Sequence, residues 1–404
     1  MGTKSTMMLK FGTGLLSALG AVCMAVSPAA AYQEDGTIQI NLLFSTTGAY
    51  ASYGVQPLAG VRMAIDDINA AGGIEVDGRK VKLVVAGGDS GYDAGADPST
   101  PLPLIKKAVL DDGSIAIVGL NASSLAEVAF NYLNELDKQG TPITLLSPAV
   151  ASPGLGKISP WGFRNSFLER EIIPREIKAL RDAYGIKTAA IFVLKDNVYY
   201  PTTAEKTVTP ALKDLGIELV ATADATTQDR DLSRQVQIIK EASPDLLVVM
   251  GQVVPSVNFM KEASRRGLTP KVWLGGIAQL SAETVKIGGS FVDGLIVGSS
   301  FDPQSAQLTG LAGRFRSSHG QDLSVFVIDG YDTVFMLKKA IEAAGIKNVA
   351  GSVADDRKKV RDALEKISIE SITGEEIRFN ADHDVLKQGF ILQIKDGKYQ
   401  VWKP

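Results

Sequence analysis

Residues 115–136 read IAIVGLNASSLAEVAFNYLNEL, in which a short apolar run leads through a polar turn into a segment with helical periodicity. The run IAIV has the composition of a buried strand, and the segment after it predicts an amphipathic helix. Ser123 and Ser124 stand at the junction. Either serine can cap the helix by accepting a backbone N–H. Alternatively, the helix start, with its N–H groups, dipole and hydroxyls, can bind a small anion such as a carboxylate.

The same alternation of strand and helix recurs along the chain. In the segment PLAGVRMAIDDINAAGG (57–73), four apolar residues fall on one helical face and a Gly pair ends the helix; these residues are Leu58, Val61, Ile65, Ile68, Gly72 and Gly73. Further helices are predicted near 102–111, 203–215, 231–242 and 255–267. Two series of such units predict two parallel sheets covered by helices on both faces.

The last hundred residues follow a less regular pattern. A strand is predicted in GLIVGSS (294–300), and helices near 305–318, 329–344 and 354–367. The final segment GFILQIKDGKYQVW (389–402) predicts a hairpin with Asp396-Gly397 as its two-residue turn. The predicted fold class is therefore α/β, with two doubly wound lobes and mostly parallel central sheets.

The N-terminus has the pattern of a secretory signal peptide. Lys4 and Lys10 precede the apolar stretch LLSALGAVCMAV (15–26), and small residues follow up to Ala31. The apolar stretch is shorter than the ~20 residues that a membrane helix needs. We expect residues 1–31 to be removed by cleavage near Ala31, and the mature protein to lie in the periplasm.

Cysteine usage and charge narrow the function classes. Cys23 is the only cysteine and lies in the segment expected to be removed, where Val22 argues against a lipoprotein processing site. The mature chain then has no thiol for a disulfide, a metal site or a nucleophile. With 22% charged residues, a formal net charge of −3 and no long basic run, the chain is not expected to bind nucleic acid or an anionic membrane.

Other sequence patterns that would indicate a metal site or a catalytic site are weak. Asp89, Asp93 and Asp97 lack the alternation and distal Glu of a calcium loop, so a solvated loop is favoured. His319 and His383 are the only histidines and lie outside any zinc or general-base pattern. No metal or cofactor is expected, and no nucleophile-elbow, P-loop or dinucleotide motif occurs in the mature chain.

Short polar sequences follow the predicted strands, where open α/β sheets bind small ligands. They are STTGAYASYG (45–54), GLNASS (119–124), LSPAVASP (146–153), LKDNVYY (194–200), MGQVVP (250–255) and LGGIAQ (274–279). Each is also compatible with ordinary turn chemistry. Together they favour a ligand site between two lobes.

In this order, and together with AIDDINAAGGI (64–74), WGFRNSF (161–167) and FVIDGYD (326–332), these segments resemble the periplasmic solute receptors of ABC importers. The resemblance is to the type I fold and its leucine/isoleucine/valine-binding branch, and it covers essentially the whole mature chain. It implies three crossovers near 164, 300 and 376 that join the lobes as a hinge. The N-terminal lobe would comprise 37–164 and 301–376, and the C-terminal lobe 165–300 and 377–404.

The resemblance also implies a function and partners. Such a receptor is a monomer that closes over one small ligand, catalyses nothing and delivers the solute to a membrane permease and its ATPase. Ser123 matches the hydroxyl that receives a ligand carboxylate, and Ala149 matches a position that offers backbone groups. Tyr53 and Tyr199 match aromatic residues that cover the ligand from either lobe. Ser124 is included in the site but is expected to serve mainly as a helix residue.

Three positions depart from the amino-acid receptors that the chain resembles. Ala151 stands where a threonine is usual, with Ser152 beside it. Gln252 stands where a tyrosine is usual, and Ile277 where a glutamate pairs with the ligand ammonium. An unpaired buried ammonium is costly. We therefore expect a small carboxylate or polar solute with an apolar or aromatic body, a branched-chain amino acid being the alternative.

Several alternatives stay open at this point. Asp196, Glu169 or Asp329 could replace the missing acid, although each fits a surface or capping role. Arg164 could contact the ligand, but a structural anchor is favoured. An exported hydrolase would use Ser123 as its nucleophile, and a sensor would report ligand occupancy to a membrane signalling protein.

Overall fold

The computed structural model of the chain describes residues 36–152, 154–166 and 168–404, together with Gly2. The predicted signal peptide and Cys23 lie outside the described residues. In chain order the strands are β1 (Thr37–Phe44), β2 (Ile74–Val76), β3 (Arg79–Val85), β4 (Tyr92–Asp93), β5 (Ala116–Gly119), β6 (Thr144–Ser147), β7 (Gly162–Arg164), β8 (Thr188–Leu194), β9 (Glu218–Ala225), β10 (Leu246–Met250), β11 (Val272–Gly275), β12 (Ile296–Ser299), β13 (Ser368–Glu370), β14 (Glu376–Phe379), β15 (Val385–Leu386), β16 (Phe390–Lys395) and β17 (Lys398–Val401).

The helices alternate with these strands as predicted. They are α1 (Ala51–Ala70), α2 (Pro101–Leu110), α3 (Ser123–Lys138), α4 (Glu169–Tyr184), α5 (Tyr199–Thr203), α6 (Thr209–Asp214), α7 (Ser233–Ala242), α8 (Val253–Arg265), α9 (Ala282–Gly288), α10 (Thr309–His319), α11 (Val325–Ala343) and α12 (Val353–Leu364). The helix predicted near 203–215 begins earlier, at Tyr199, and contains a π-helical turn at Ala204–Val208.

The first sheet has the strand order β2-β3-β1-β5-β6-β7, with β4 also paired to β1. Its pairs are parallel except for β2 with β3. Alternate residues of β1 point to opposite faces: Leu42 packs in the core that includes α1, α11 and α12, whereas Leu43 packs in the core that includes α2 and α3. The four apolar residues predicted for one face of α1 are all buried.

Helices α1 and α11 approach each other closely because two glycines face the opposite backbone. A Cβ at Gly60 would lie 1.9 Å from the carbonyl oxygen of Val327, and one at Gly330 would lie 2.3 Å from that of Pro57. Any larger residue would push the helices apart. This contact fixes the position of the first turn of α1, which carries Tyr53.

The second sheet has the order β17-β16-β12-β11-β10-β8-β9. Strands β8 to β12 pair in parallel, and the antiparallel hairpin β16–β17 joins at β12. Asp396 and Gly397 both have positive φ (52° and 69°), as the predicted two-residue turn requires. Both sheets are thus mostly parallel, as the sequence predicted.

The chain passes between the sheets after β7, after β12 and after β15. Strands β13, β14 and β15 form a small antiparallel sheet, and Ile377, Phe379 and Val385 pack into the core of the first sheet. The lobe boundaries near 164, 300 and 376 stay predictions. The packing favours moving the third one to 387–389, because residues up to Val385 pack with the first sheet. No helix in the described part of the chain is long and apolar enough to cross a membrane.

Candidate functional site

The first wall of the candidate site lies at the carboxyl ends of β1, β5 and β6, which are neighbours in the first sheet. Tyr53 lies in the first turn of α1, Ser123 begins α3, and Ala149 and Ala151 follow β6. The sheet order therefore brings these predicted residues to one edge. We call this edge the first wall.

Neither serine caps α3. The N-cap residue is Ala122, with extended backbone (φ −131°, ψ 130°) and no side-chain capping bond. The capping interpretation was wrong because the helix begins one residue earlier than a serine cap would require. Within the described residues, no acceptor is recorded for the N–H groups of Ser123 and Ser124, as expected for the first turn of a helix.

The two serines have different partners. The Ser123 hydroxyl accepts a hydrogen bond from the Ser152 N–H at 3.2 Å. The Ser124 hydroxyl lies 3.3 Å from the Tyr50 hydroxyl and is exposed. Ser123 thus connects the loop after β5 to the loop after β6, as a residue at the centre of the first wall would.

Arg164 holds this arrangement from behind. It is fully buried; its Nε donates to Asp384 Oδ1 at 2.6 Å and its Nη1 donates to the Ser152 carbonyl at 2.7 Å. Burial lowers the pKa of Arg164, while Asp384 acts in the opposite direction. These contacts fit the favoured role of structural anchor, and a chain of polar contacts runs from Asp384 through Arg164 and Ser152 to Ser123.

Two further residues order the loop after β1. Asn121 accepts from the Ser45 N–H at 2.8 Å and donates to the Tyr50 carbonyl at 3.0 Å. Asp93 accepts from the Thr46 N–H at 2.8 Å and from the Thr47 hydroxyl. The prediction of a solvated loop missed this role of Asp93, while Asn121 was signalled only by its place in GLNASS.

Backbone strain is present at the same edge. Leu120 lies between β5 and α3 with φ at 63°, in the left-handed region that non-glycine residues rarely adopt. Its carbonyl accepts from the Ser147 hydroxyl at 2.7 Å, and its N–H donates to the Leu43 carbonyl at 2.6 Å. Strain of this kind, held by surrounding bonds, is common at ligand sites.

The second wall lies at the carboxyl ends of β8, β10 and β11, which are neighbours in the second sheet. These ends carry the three predicted residues Tyr199, Gln252 and Ile277. Tyr199 begins α5, and Gln252 is the N-cap residue of α8, with no hydrogen-bond partner for its buried Oε1 among the described residues. Ile277 follows β11, is partly buried and packs against the apolar cluster that contains Phe301 and Val325.

Glu169 joins two of these residues. It is the first residue of α4 and only 5% exposed. It accepts a hydrogen bond from the Tyr199 hydroxyl, and the Ile277 N–H donates to its Oε1 at 2.5 Å. Burial raises the pKa of Glu169, and these two bonds act against that shift. The surface or capping role favoured for Glu169 was wrong, because its carboxylate contacts other elements of the second wall.

A second buried acid lies two turns further along α4. Glu176 is 1% exposed, and its Oε1 has no hydrogen-bond partner among the described residues. Burial, and then the charge of Glu169, raise the pKa of Glu176 well above its usual value, with Arg175 acting in the opposite direction. Helix α4 thus carries two buried acids, Glu169 and Glu176, on one face.

Tyr53 of the first wall contacts another aromatic residue, Phe326 of α11. The Tyr53 ring, which is 48% exposed, makes an edge contact with Phe326, with the ring centroids 6.2 Å apart. Burial, and then the nearby Tyr53, raise the pKa of Tyr200, the neighbour of Tyr199 on α5.

The other proposed acids lie elsewhere. Asp196 is exposed and accepts from the Thr227 N–H at 2.9 Å, as expected for a surface residue. Asp329 is buried and forms an ion pair with Lys387, so a surface role for it was wrong. In the described residues, no group of three or more His, Cys, Asp or Glu side chains could hold a metal ion.

Comparison with known proteins gives the class. The family model described as periplasmic binding protein matches residues 37–398. The chain therefore belongs to the periplasmic binding protein family, which confirms the resemblance drawn from its sequence. A similar protein is the leucine-, isoleucine-, valine-, threonine- and alanine-binding protein of Pseudomonas aeruginosa, 28% identical over 370 residues that cover 91% of this chain and 92% of that protein.

Solved structures share the fold. The branched-chain amino acid transporter substrate-binding protein LivJ from Streptococcus pneumoniae, in complex with isoleucine, has a TM-score of 0.68 and 22% identity, covering 91% of this chain and 100% of that chain. An ABC transporter solute-binding protein from Rhodopseudomonas palustris, in complex with 3,4-dihydroxybenzoic acid, has a TM-score of 0.70 and 20% identity, covering 91% and 96%. Both confirm the predicted type I periplasmic binding protein fold.

Proposed function

We propose that this protein is the solute receptor of an ABC importer and captures a small carboxylate with an apolar or aromatic body between its two walls. The observation that carries the proposal is the start of α3, where Ser123 and adjacent backbone N–H groups stand at the centre of the first wall. A helix N-terminus favours a carboxylate through its dipole and its N–H groups. The similar proteins named above bind amino acids or an aromatic acid.

The remaining parts of the proposal follow from this role. The protein is exported with cleavage near Ala31 and passes its ligand to a membrane permease and ATPase without catalysis. Tyr53 and Tyr199 cover the apolar body, and contacts from both walls favour the closed state of a hinge. Arg164 ends β7 and pairs with Asp384, which directly precedes β15, so this pair lies beside two of the crossovers that form the hinge.

The test is a thermal-shift screen of the mature protein over amino acids, aliphatic acids, aromatic acids and amides, followed by calorimetric titration of the compounds that stabilise it. At least one carboxylate is expected to bind at micromolar affinity, and its matched amide at least about tenfold more weakly, because the amide lacks the charge that the helix start favours. Stabilisation by amides alone, or by no compound at all, would contradict the proposal.

Variants at the two serines test the assigned position. Ser123→Ala is expected to weaken carboxylate binding by about tenfold, since it removes one hydrogen bond to a charged group. Ser124→Ala is the matched control, because the hydroxyl of Ser124 is exposed and its contact is with Tyr50. Equal effects of the two substitutions would place the carboxylate away from Ser123.

A receptor for branched-chain amino acids is the second candidate. It is favoured by the similarity to the Pseudomonas aeruginosa protein and by Glu169, an acid within the second wall. Titration with leucine, isoleucine and valine distinguishes it from a receptor for plain acids.

A further inference from the structure

Glu169 lies in a space shaped for a carboxyl group. A Cβ at Gly276 would lie 3.0 Å from Glu169 Oε1, so a larger residue there would crowd the acid. One oxygen accepts from the Tyr199 hydroxyl and the other from the Ile277 N–H. The Glu169 carboxylate is therefore hydrogen-bonded directly to two residues of the second wall.

The hydrogen-bonding capacity of Glu169 is only half used. An ionised carboxylate has about four acceptor positions, of which these bonds occupy two. Among the ion pairs of the described residues, none joins Glu169 to a Lys, Arg or His side chain. A buried acid without a positive partner is costly unless a further donor compensates for its lost water.

A role in capping α4 does not explain these contacts. A capping carboxylate would accept from N–H groups in the first turn of its own helix. The recorded partners of Glu169 instead belong to the start of α5 and to the turn that follows β11, both part of the second wall. The acid thus points across the wall and not back along its own helix.

Building on the proposed function, we infer that Glu169 is a ligand-binding residue that selects carboxylates carrying a second group able to donate a hydrogen bond. The ligand carboxylate lies at Ser123, and its ammonium or hydroxyl group meets Glu169 on the opposite wall. The acid that is absent at Ile277 is thereby supplied from a position 108 residues earlier in the chain.

The test uses two matched pairs of probes: L-leucine with 4-methylpentanoate, and 4-hydroxybenzoate with benzoate. In calorimetric titrations of the wild-type protein, the donor-bearing member of at least one pair is expected to bind at least about tenfold more tightly, a difference of about 1.4 kcal/mol. Glu169→Gln is expected to reduce that ratio about tenfold for leucine. The reduction should be smaller for 4-hydroxybenzoate, because a neutral amide oxygen still accepts from a hydroxyl.

Glu171→Gln is the control, since Glu171 lies in the same helix turn, is exposed and pairs with Arg170. Glu169→Asp replaces the Gln variant in the test if the Gln variant does not fold. It keeps the negative charge but withdraws it by one methylene, so it should also lower the affinity ratio between the two members of a pair. A purely structural role would weaken both members of a pair equally and leave the ratio unchanged.

The outcomes separate the two proposals. If plain acids bind the wild-type protein as tightly as their donor-bearing partners, or if Glu169→Gln and Glu169→Asp preserve the ratio, the role of Glu169 is refuted while the receptor function stands. If none of the four probes binds, the assignment of a small carboxylate ligand fails together with the role of Glu169.

Discussion

The two walls of the site present different chemical groups. The first wall offers backbone N–H groups and small hydroxyls, held from behind by Arg164. The second wall offers aromatic side chains and a buried acid, Glu169. The first wall is thus suited to a negative group, and the second to an apolar body and a hydrogen-bond donor. Under the proposed function, the two ends of the ligand are therefore expected to be recognised by separate sheets.

The largest effect is expected from removing the anchor of the first wall. Arg164→Met should lower the free energy of unfolding by about 3–5 kcal/mol, because it leaves the buried Asp384 with one fewer positive partner and the Ser152 carbonyl without its donor. Urea denaturation measures this. Arg170→Met is the control: Arg170 also pairs with Asp384 but is partly exposed, so its loss should cost less, and an equal cost would contradict the anchoring role.

A smaller, pH-dependent effect is expected from the second wall. Because the folded-state pKa of Glu176 is raised, its contribution to stability is present below about pH 4.3, the usual pKa of a glutamate, and is lost as the pH rises through the folded pKa. Glu176→Gln should therefore stabilise the protein by about 1–2 kcal/mol at pH 8 relative to the wild type, with little difference at pH 4.

Urea denaturation of both proteins at the two pH values provides the check. Glu169 and Arg175 are the charged groups that act on Glu176, so the same comparison in the Glu169→Gln background should show a smaller pH dependence. A Gln variant that is equally destabilised at both pH values would show that Glu176 is ionised and paired.

The smallest effect is expected at the loop after β1. Burial alone would raise the pKa of Asp93, but hydrogen bonds from Thr47, Gly95 and Thr46 lower it to about 2. The stability that Asp93 contributes is present above about pH 4 and is lost as the pH falls through about 2. Asp93→Asn should cost about 1 kcal/mol at pH 7 and progressively less towards pH 2.

Asp97→Asn is the matched control for this loop, because within the described residues the Asp97 carboxylate accepts hydrogen bonds from Ser99 alone, two residues away. Its effect in urea denaturation should be smaller than that of Asp93→Asn. If the two substitutions cost the same, Asp93 does not order the first wall.

Local sequence patterns predicted most of the fold and the first wall. The helical face of α1, its glycine stop and the Asp396-Gly397 turn depend on neighbouring residues, so periodicity and turn chemistry reveal them. The prediction that a serine caps α3 was wrong because a helix start cannot be located to one residue from sequence.

The second wall was harder to predict. Glu169 stands at a helix start, where acids are common for reasons of dipole alone, and nothing near it in the sequence indicates that Tyr199 and Ile277 contact it. The third crossover stays a prediction: the packing of Ile377 and Phe379 into the core of the first sheet, which favours a later position, depends on distant strands that local patterns do not reveal.

The π-helical turn at Ala204–Val208 has a consequence for the diversity of related receptors. Such a turn holds one residue more than an α-helical turn, while the helical segments on either side keep their register. Deleting one residue within the turn would therefore restore a regular α-helix and leave Tyr199 directed at Glu169. A deletion elsewhere between Tyr199 and α6 would instead turn Tyr199 by about 100° about the helix axis, so the π-helical turn is the place where this helix tolerates a change in length without loss of the contact with Glu169.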